Sequence, residues 1–151
     1  MGTETERKFL VTGDGWLAQA DEGTQIRQAY LAMDEERQVR VRIIDGASAT
    51  LTIKTGGAAL SRAEFEYDIP LDDAKALIEH CAGQPIAKTR YKVAAGGGLT
   101  WEIDRFRDSH EGLVIAEIEM DSEAATFDRP DWLGEDVTGN PDYYNASLAR
   151  G

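Results

Sequence analysis

Charged residues fall at every second position in short runs sorted by sign: Glu4-x-Glu6-x-Lys8, Arg40-x-Arg42, Glu64-x-Glu66, Lys88-x-Arg90-x-Lys92, Glu102-x-Asp104 and Glu117-x-Glu119. In a strand the side chains at i and i+2 share a face, so each run commits its segment to a β-strand with one charged face. The intervening positions are largely apolar, as in Val39, Val41 and Ile43, in Phe65, Tyr67 and Ile69, in Trp101 and Ile103, and in Ile115, Ile118 and Met120, where a slight break in phase is needed. A wet sheet face normally mixes signs, because like charges side by side repel. Whole strands of one sign would be poor surface design in a chain of formal net charge -12. They make sense if these faces turn toward one another around a cavity that holds a polyanion and its divalent metals. Arg supplies a bidentate fork and Lys a compact charge for phosphate oxygens, while opposed carboxylates suit Mg²⁺ or Mn²⁺. The competing reading is a one-sided sheet whose charges face bulk water.

Turn signals divide the chain into elements. The first strand runs from Glu4 to Val11 and leads through Gly13 and Gly15 to a short helical segment, Trp16 to Ala20. Strands follow at Thr24 to Ala32, Gln38 to Ile44, Ala49 to Thr55 and Arg62 to Ile69, with Asp45-Gly46 as a hairpin turn. Leu71, Ala74, Leu77, Ile78 and Cys81 form an apolar stripe at helical spacing, with Asp72 and Asp73 in the first turn and Gly83 and Pro85 after the end, so a helix is expected over 71–81. Strands resume at Ile86 to Val93, Leu99 to Phe106 and Leu113 to Met120. The stretch through Arg129 to Gly134 reads as irregular, and Asn140-Pro141 starts a short helix from Asp142 to Ala149. About eight strands with flanking helices imply an α+β fold whose antiparallel sheet closes into a barrel, since closure removes exposed edges. The apolar outer face then needs cover from the helices or from a second copy of the chain, which would make a homodimer.

A chain of 151 residues, 42% hydrophobic and 29% charged, is a single domain over residues 1–151. Its acidity argues against nucleic acid as a partner. No apolar run is long enough to span a membrane, and Glu4, Glu6, Arg7 and Lys8 occupy the place of a signal peptide's apolar stretch, so a cytoplasmic protein is expected. Gly13-x-Gly15-x-x-Ala18 imitates a dinucleotide fingerprint, but that motif needs a buried, continuously apolar strand before it, and the first strand alternates. The lone Cys81 reads as packing, and His80 and His110 as helix-end and turn residues.

The ordered set Glu4-x-Glu6-x-Lys8, Arg40-x-Arg42, Lys54, Glu64-x-Glu66, Lys88-x-Arg90 and Glu117-x-Glu119 resembles the CYTH superfamily, also called triphosphate tunnel metalloenzymes, and the resemblance spans essentially the whole chain. Ile26 to Leu31 and Tyr144 to Leu148 also look like the small bacterial members. The resemblance implies a closed barrel of about eight strands forming a charged tunnel, and metal-dependent action on a triphosphate. It implies phosphate contacts from Lys8, Arg40, Arg42, Lys54, Lys88 and Arg90. Metal would be bound by Glu4, Glu6, Glu117 and Glu119, with Glu64, Glu66 and Asp104 as further candidates for metal or water. A basic residue near the C-terminus assists phosphate in some members, and only Arg150 is available here. The expected reaction is hydrolysis of inorganic tripolyphosphate to pyrophosphate and phosphate, with Mg²⁺ or Mn²⁺ as cofactor. Glu66, Glu119 or a metal-bound hydroxide could serve as base, and Tyr30 would orient the water or leaving group. The alternatives are a class IV-type adenylate cyclase, a thiamine triphosphatase with Trp16 or Trp132 as an aromatic platform, and a binding module for polyphosphate or nucleotides.

Overall fold

The computed structural model describes residues 2–34, 36–56, 61–122, 125–143 and 148. They form nine strands: β1 (Gly2–Val11), β2 (Thr24–Met33), β3 (Arg37–Ile44), β4 (Ser48–Thr55), β5 (Ser61–Ile69), β6 (Ala82–Gly96), β7 (Leu99–Phe106), β8 (Val114–Glu119) and β9 (Leu133–Asp136). One α-helix, α1 (Leu71–Glu79), joins β5 to β6. The strands make one antiparallel sheet in the order β5-β4-β3-β2-β6-β7-β8-β1-β9. β1, next to last in that order, also pairs with β5 from Gly2↔Glu64 to Thr5↔Ser61. The antiparallel meander and the single helix agree with the α+β expectation.

Local chemistry explains most boundaries. Asp45 and Gly46 both take positive φ, 52° and 65°, the geometry that a two-residue hairpin turn demands. α1 opens with Asp72 and Asp73 where the helix dipole favours acids, and ends two residues earlier than its apolar stripe suggests. Cys81 therefore lies just past the helix, half-buried, with its thiol 3.6 Å from the Gly83 carbonyl. β6 starts four residues before the expected Ile86, because a register shift between Gln28↔Ile86 and Tyr30↔Ala82 takes up Gly83 to Pro85. A proline is tolerated there, since a bulge needs no ladder donor from it.

Much of the apolar outer face of the sheet is covered by this same chain, with Tyr67 of β5 left 56% exposed. On one side α1 lays Ala74 and Ile78 over Ala29, Val41, Ile43 and Ala49. On the other, Trp16 and Trp132 cover Phe9, Val93, Trp101, Ile103 and Ile118. Here the cover comes from connecting segments rather than from helices. Trp101 packs edge-on against Phe9, Phe127 and Trp132 at centroid distances of 5.3–5.8 Å, an arrangement that suits the ring quadrupoles.

Three sequence expectations need correction. The stretch read as irregular contains β9, which pairs with β1 through Phe9↔Asp136 and Val11↔Leu133 and raises the strand count to nine. Ile115 shares the inner face with Glu117, not the outer face with Ile118, so β8 alternates without a break in phase. The segment Trp16 to Ala20 is a single 3₁₀ turn, Leu17–Gln19. The expected helix from Asp142 to Ala149 falls mostly outside the described residues; among those described a 3₁₀ turn covers Pro141–Tyr143. No helix among the described residues is long and apolar enough to cross a membrane.

Candidate active site

Residues directly opposed on neighbouring strands share a face, and the register lines up the charged runs. Glu66, Thr52, Arg40 and Tyr30 form one row across β5, β4, β3 and β2. Lys54 opposes Glu64, and Gln28 opposes Arg42. Across the other half, Arg90 opposes Asp104, Glu102 opposes Glu117, Lys8 opposes Glu117 and Glu6 opposes Glu119. This face is concave. Lys8 of β1 feels Tyr30 of β2 and Asp104 of β7, strands that are not its neighbours.

Burial is graded along the face. At the deep end Tyr30, Ile86, Phe106, Ile115 and Leu148 form an apolar base. Next come Lys88 and Asp104, at 0% and 1% exposure, with Lys8, Arg40 and Glu117 below 10%. Arg42, Arg90, Glu6, Glu102, Lys54 and Glu64 are half-buried, and Glu66, Lys92 and Glu119 are exposed. Glu102, Lys92 and Glu119 border a cavity of about 540 Å³ at this open end.

Asp104 organises the deep layer. Lys88 Nζ donates to its Oδ2 at 2.7 Å, and Arg90 donates from Nε to Oδ1 at 2.7 Å and from Nη2 to Oδ2 at 2.9 Å. Against the cost of burial, Arg90 and Lys88 hold the Asp104 carboxyl well below the usual carboxylate range. Burial pushes Lys88 down to about 7 in spite of Asp104, and Arg90 and Arg42 push the same way. Arg90, which also meets Glu102 at 3.4 Å, is raised because Asp104 and Glu102 outweigh its desolvation. Lys8 Nζ lies 3.6 Å from Glu117 Oε1 and donates to the Tyr143 carbonyl at 3.2 Å. Burial would lower Lys8, but Glu117 and Glu6 raise it, and Lys8 in turn holds Glu117 down at about 2.

The opposite wall is different. Arg42 Nε donates to Gln28 Oε1 at 2.9 Å, and Arg40 Nη2 donates to Thr52 Oγ1 at 3.4 Å. The Thr52 hydroxyl donates onward to Glu66 Oε2 at 3.4 Å. Arg40 Nε is buried with no partner among the described residues. Desolvation, with Arg40 and Arg90 close by, lowers Arg42 to about 9. Lys54 meets Glu64 at 3.8 Å.

All six basic residues expected to contact phosphate therefore line one concave face. Glu6, Glu64, Glu66, Asp104, Glu117 and Glu119 share it. The backbone of Glu4 pairs with Arg62 in β1–β5, while its side chain and Arg150 lie outside the described residues. Among the described residues no three of His, Cys, Asp and Glu gather into a ready-made metal cage. His110 Nε2 lies 2.7 Å from the Leu148 carbonyl, at the apolar base. Sequence reasoning missed three neutral partners. Gln28 and Thr52 hold the arginines, and Thr138 accepts the Lys8 N–H at 2.8 Å beside β9, while the Lys8 carbonyl accepts from the Val137 N–H. Uncharged polar residues such as Gln28 and Thr52 in an alternating strand, or Thr138 in a turn, carry no signal by which they could have been singled out.

The CYTH domain model matches residues 2–150. A protein named inorganic triphosphatase from Acetivibrio thermocellus is 44% identical over 99% of this chain and 95% of its own length. One of the same name from Nitrosomonas europaea is 36% identical, covering 97% of each. A crystal structure of an inorganic triphosphatase superposes with a TM-score of 0.70 at 32% identity, over 100% of this chain and 97% of the other.

Proposed function

The chain belongs to the CYTH domain family, and we propose that it hydrolyses inorganic tripolyphosphate to pyrophosphate and phosphate with Mg²⁺ or Mn²⁺, inside a closed tunnel. The β1–β5 pairing supports the closed form of the sheet, and the two curated relatives support the substrate. The observation that carries the reading is the gathering of six cations on one face, where Arg40, at 7% exposure, and Arg42 have no carboxylate partner among the described residues. Buried charge is costly unless it is compensated, and a ligand carrying several negative charges compensates it.

Phosphoryl transfer asks the protein mainly to position groups and to neutralise charge. Lys8, Lys88 and Arg90 would grip the triphosphate from one wall, and Arg40, Arg42 and Lys54 from the other. The donor set at the open end contains only oxygen, with Glu6 and Glu119 directly opposed and Glu117 beyond them, and it fits a hard divalent cation. Glu4, Glu6, Glu117 and Glu119 would hold the metal, with Glu64 as a further candidate. When bound, the metal neutralises phosphate oxygens and lowers the pKa of coordinated water. Glu66 or Glu119 would accept the proton of the attacking water. Glu66 is tied through Thr52 to Arg40, which couples the base to the phosphate that Arg40 holds. Tyr30, opposed to Arg40, would fix the inner limit of substrate entry and thereby orient the leaving group. Asp104 would act by aiming Lys88 and Arg90.

Phosphate release is to be measured from tripolyphosphate, ATP and thiamine triphosphate in parallel, with Mg²⁺, with Mn²⁺ and with chelator, for wild type and Glu6→Ala. Metal-dependent release from tripolyphosphate that is lost in Glu6→Ala is the expected result. Release confined to another substrate, or none at all, sinks the assignment.

A further inference from the structure

The buried and half-buried cations on the β1–β6–β7 wall have carboxylate partners within 4 Å: Lys8 has Glu117, Lys88 has Asp104, and Arg90 has Asp104 and Glu102. Among the described residues Arg40 and Arg42 have none, and the side chains that hold them are neutral, Thr52 and Gln28. Gln28 is 0% exposed and sits across from Arg42 in the β2–β3 register. A glutamate would occupy the same volume and hold a guanidinium more strongly. The amide orients Arg42 without cancelling its charge, and no described residue takes a hydrogen bond from Arg42 Nη1 or Nη2.

We propose that Gln28 is a positioning residue that keeps Arg42 uncompensated, so that the β2–β3–β4 wall supplies the net positive charge that recruits the triphosphate. This rests on the proposed hydrolysis of tripolyphosphate and extends it, because it assigns the two walls different work. The paired wall is already near balance and orients the substrate. On the other wall Lys54 meets Glu64, but Arg40 and Arg42 repel each other until an anion arrives, and the orphaned Arg40 Nε lies there.

The discriminating substitutions are Gln28→Glu and Gln28→Met. If Gln28 only fills space and accepts one hydrogen bond, the isosteric glutamate is harmless and methionine is the damaging change. If it keeps Arg42 uncompensated, the order reverses. Binding of tripolyphosphate is to be measured by titration calorimetry in chelator, so that no metal or turnover enters, alongside KM and kcat with Mg²⁺ and a thermal melt. Gln28→Glu is expected to weaken binding by about tenfold or more and to raise KM with a smaller change in kcat, because a carboxylate beside the arginine removes its attraction and repels the ligand. Gln28→Met is expected to lose less, since the charge survives and only the aim of the guanidinium is lost.

Should Gln28→Glu not fold, Thr50→Glu places a carboxylate opposite Arg42 from β4 instead and carries the same expectation. Binding by Gln28→Glu within about twofold of wild type, or a greater loss for methionine than for glutamate, overturns the inference. Wild-type protein that binds tripolyphosphate without hydrolysing it sinks the hydrolase reading but leaves this comparison decisive. Wild-type protein that binds none in chelator overturns this inference, while phosphate release with Mg²⁺ still decides the hydrolase reading.

Discussion

Asp104 serves two cations with one carboxylate, and Lys88, with no exposed surface, depends on that sharing. Asp104→Asn keeps the shape but leaves a buried ammonium and a guanidinium without their anion, a loss of about 3–5 kcal/mol for a broken buried pair. The loss should depend on pH through Lys88, which burial holds near about 7 against 10.5 when unfolded. Below about 7 Lys88 is charged in both states and the fold needs Asp104 most. Between about 7 and 10.5 the unfolded chain holds a proton that the fold has shed, so this group makes stability rise with pH there, and the fold leans less on Asp104. The melting deficit of Asp104→Asn against wild type should therefore shrink from about pH 6 to about pH 9. A deficit that is constant or grows over that range would show that Lys88 stays charged throughout. At this scale the sequence was legible in phase and blind in depth. Period two identified the charged residues that share a face, yet Lys88 and Lys92 have the same phase, one fully buried and the other exposed. Depth follows from the curl of the sheet, and nothing local encodes that.

The elements divide by how far their sequences speak for themselves. β3, β4, β7 and β8 are legible because apolar and charged positions alternate along them. β9 is not, since Leu133, Gly134, Glu135 and Asp136 offer no alternation and little strand preference. Its reason is tertiary: a Cβ on Gly134 would come within 2.8 Å of the Leu10 carbonyl oxygen, so glycine lets β9 approach β1. α1 was legible from its stripe, and its contribution can be measured. Ile78 is 2% exposed and packs on the outer side of the wall that carries Arg40 and Arg42. Ile78→Ala should cost about 2–4 kcal/mol through lost burial and the cavity left behind. For a chain of this size that is about 10 °C in melting temperature. Tripolyphosphate affinity below the melt should stay within about twofold, because Ile78 faces away from the interior. A large loss of affinity without a change in melting temperature would mean that α1 takes part in the site directly.

At the scale of the whole molecule, a chain with 28 acidic and 16 basic residues turns six of the basic ones toward one face. That face carries both signs, with Lys8, Lys88 and Arg40 in its buried part, while the remaining acids keep the exterior acidic for solubility. That arrangement costs stability in the absence of an anion, since burial, with Arg40 and Arg90 nearby, lowers Arg42 to about 9. An anion that relieves the repulsion binds the folded chain alone, so it must stabilise the fold by mass action. Tripolyphosphate in chelator at about 100 times its dissociation constant should add about 2.7 kcal/mol. In a chain of this length that raises the melt by about 6–10 °C. The shift should shrink as salt rises, because screening weakens the attraction that produces it. Mg²⁺ alone should give a smaller rise by relieving the opposed Glu6 and Glu119. Metal and tripolyphosphate together should exceed the sum of the two, because each neutralises charge that the other must approach. The measurement is a set of melts with each ligand, with both and with neither, at two salt concentrations. Stabilisation by metal but none by tripolyphosphate in chelator would show that the basic residues cannot bind the anion until the metal has brought it in.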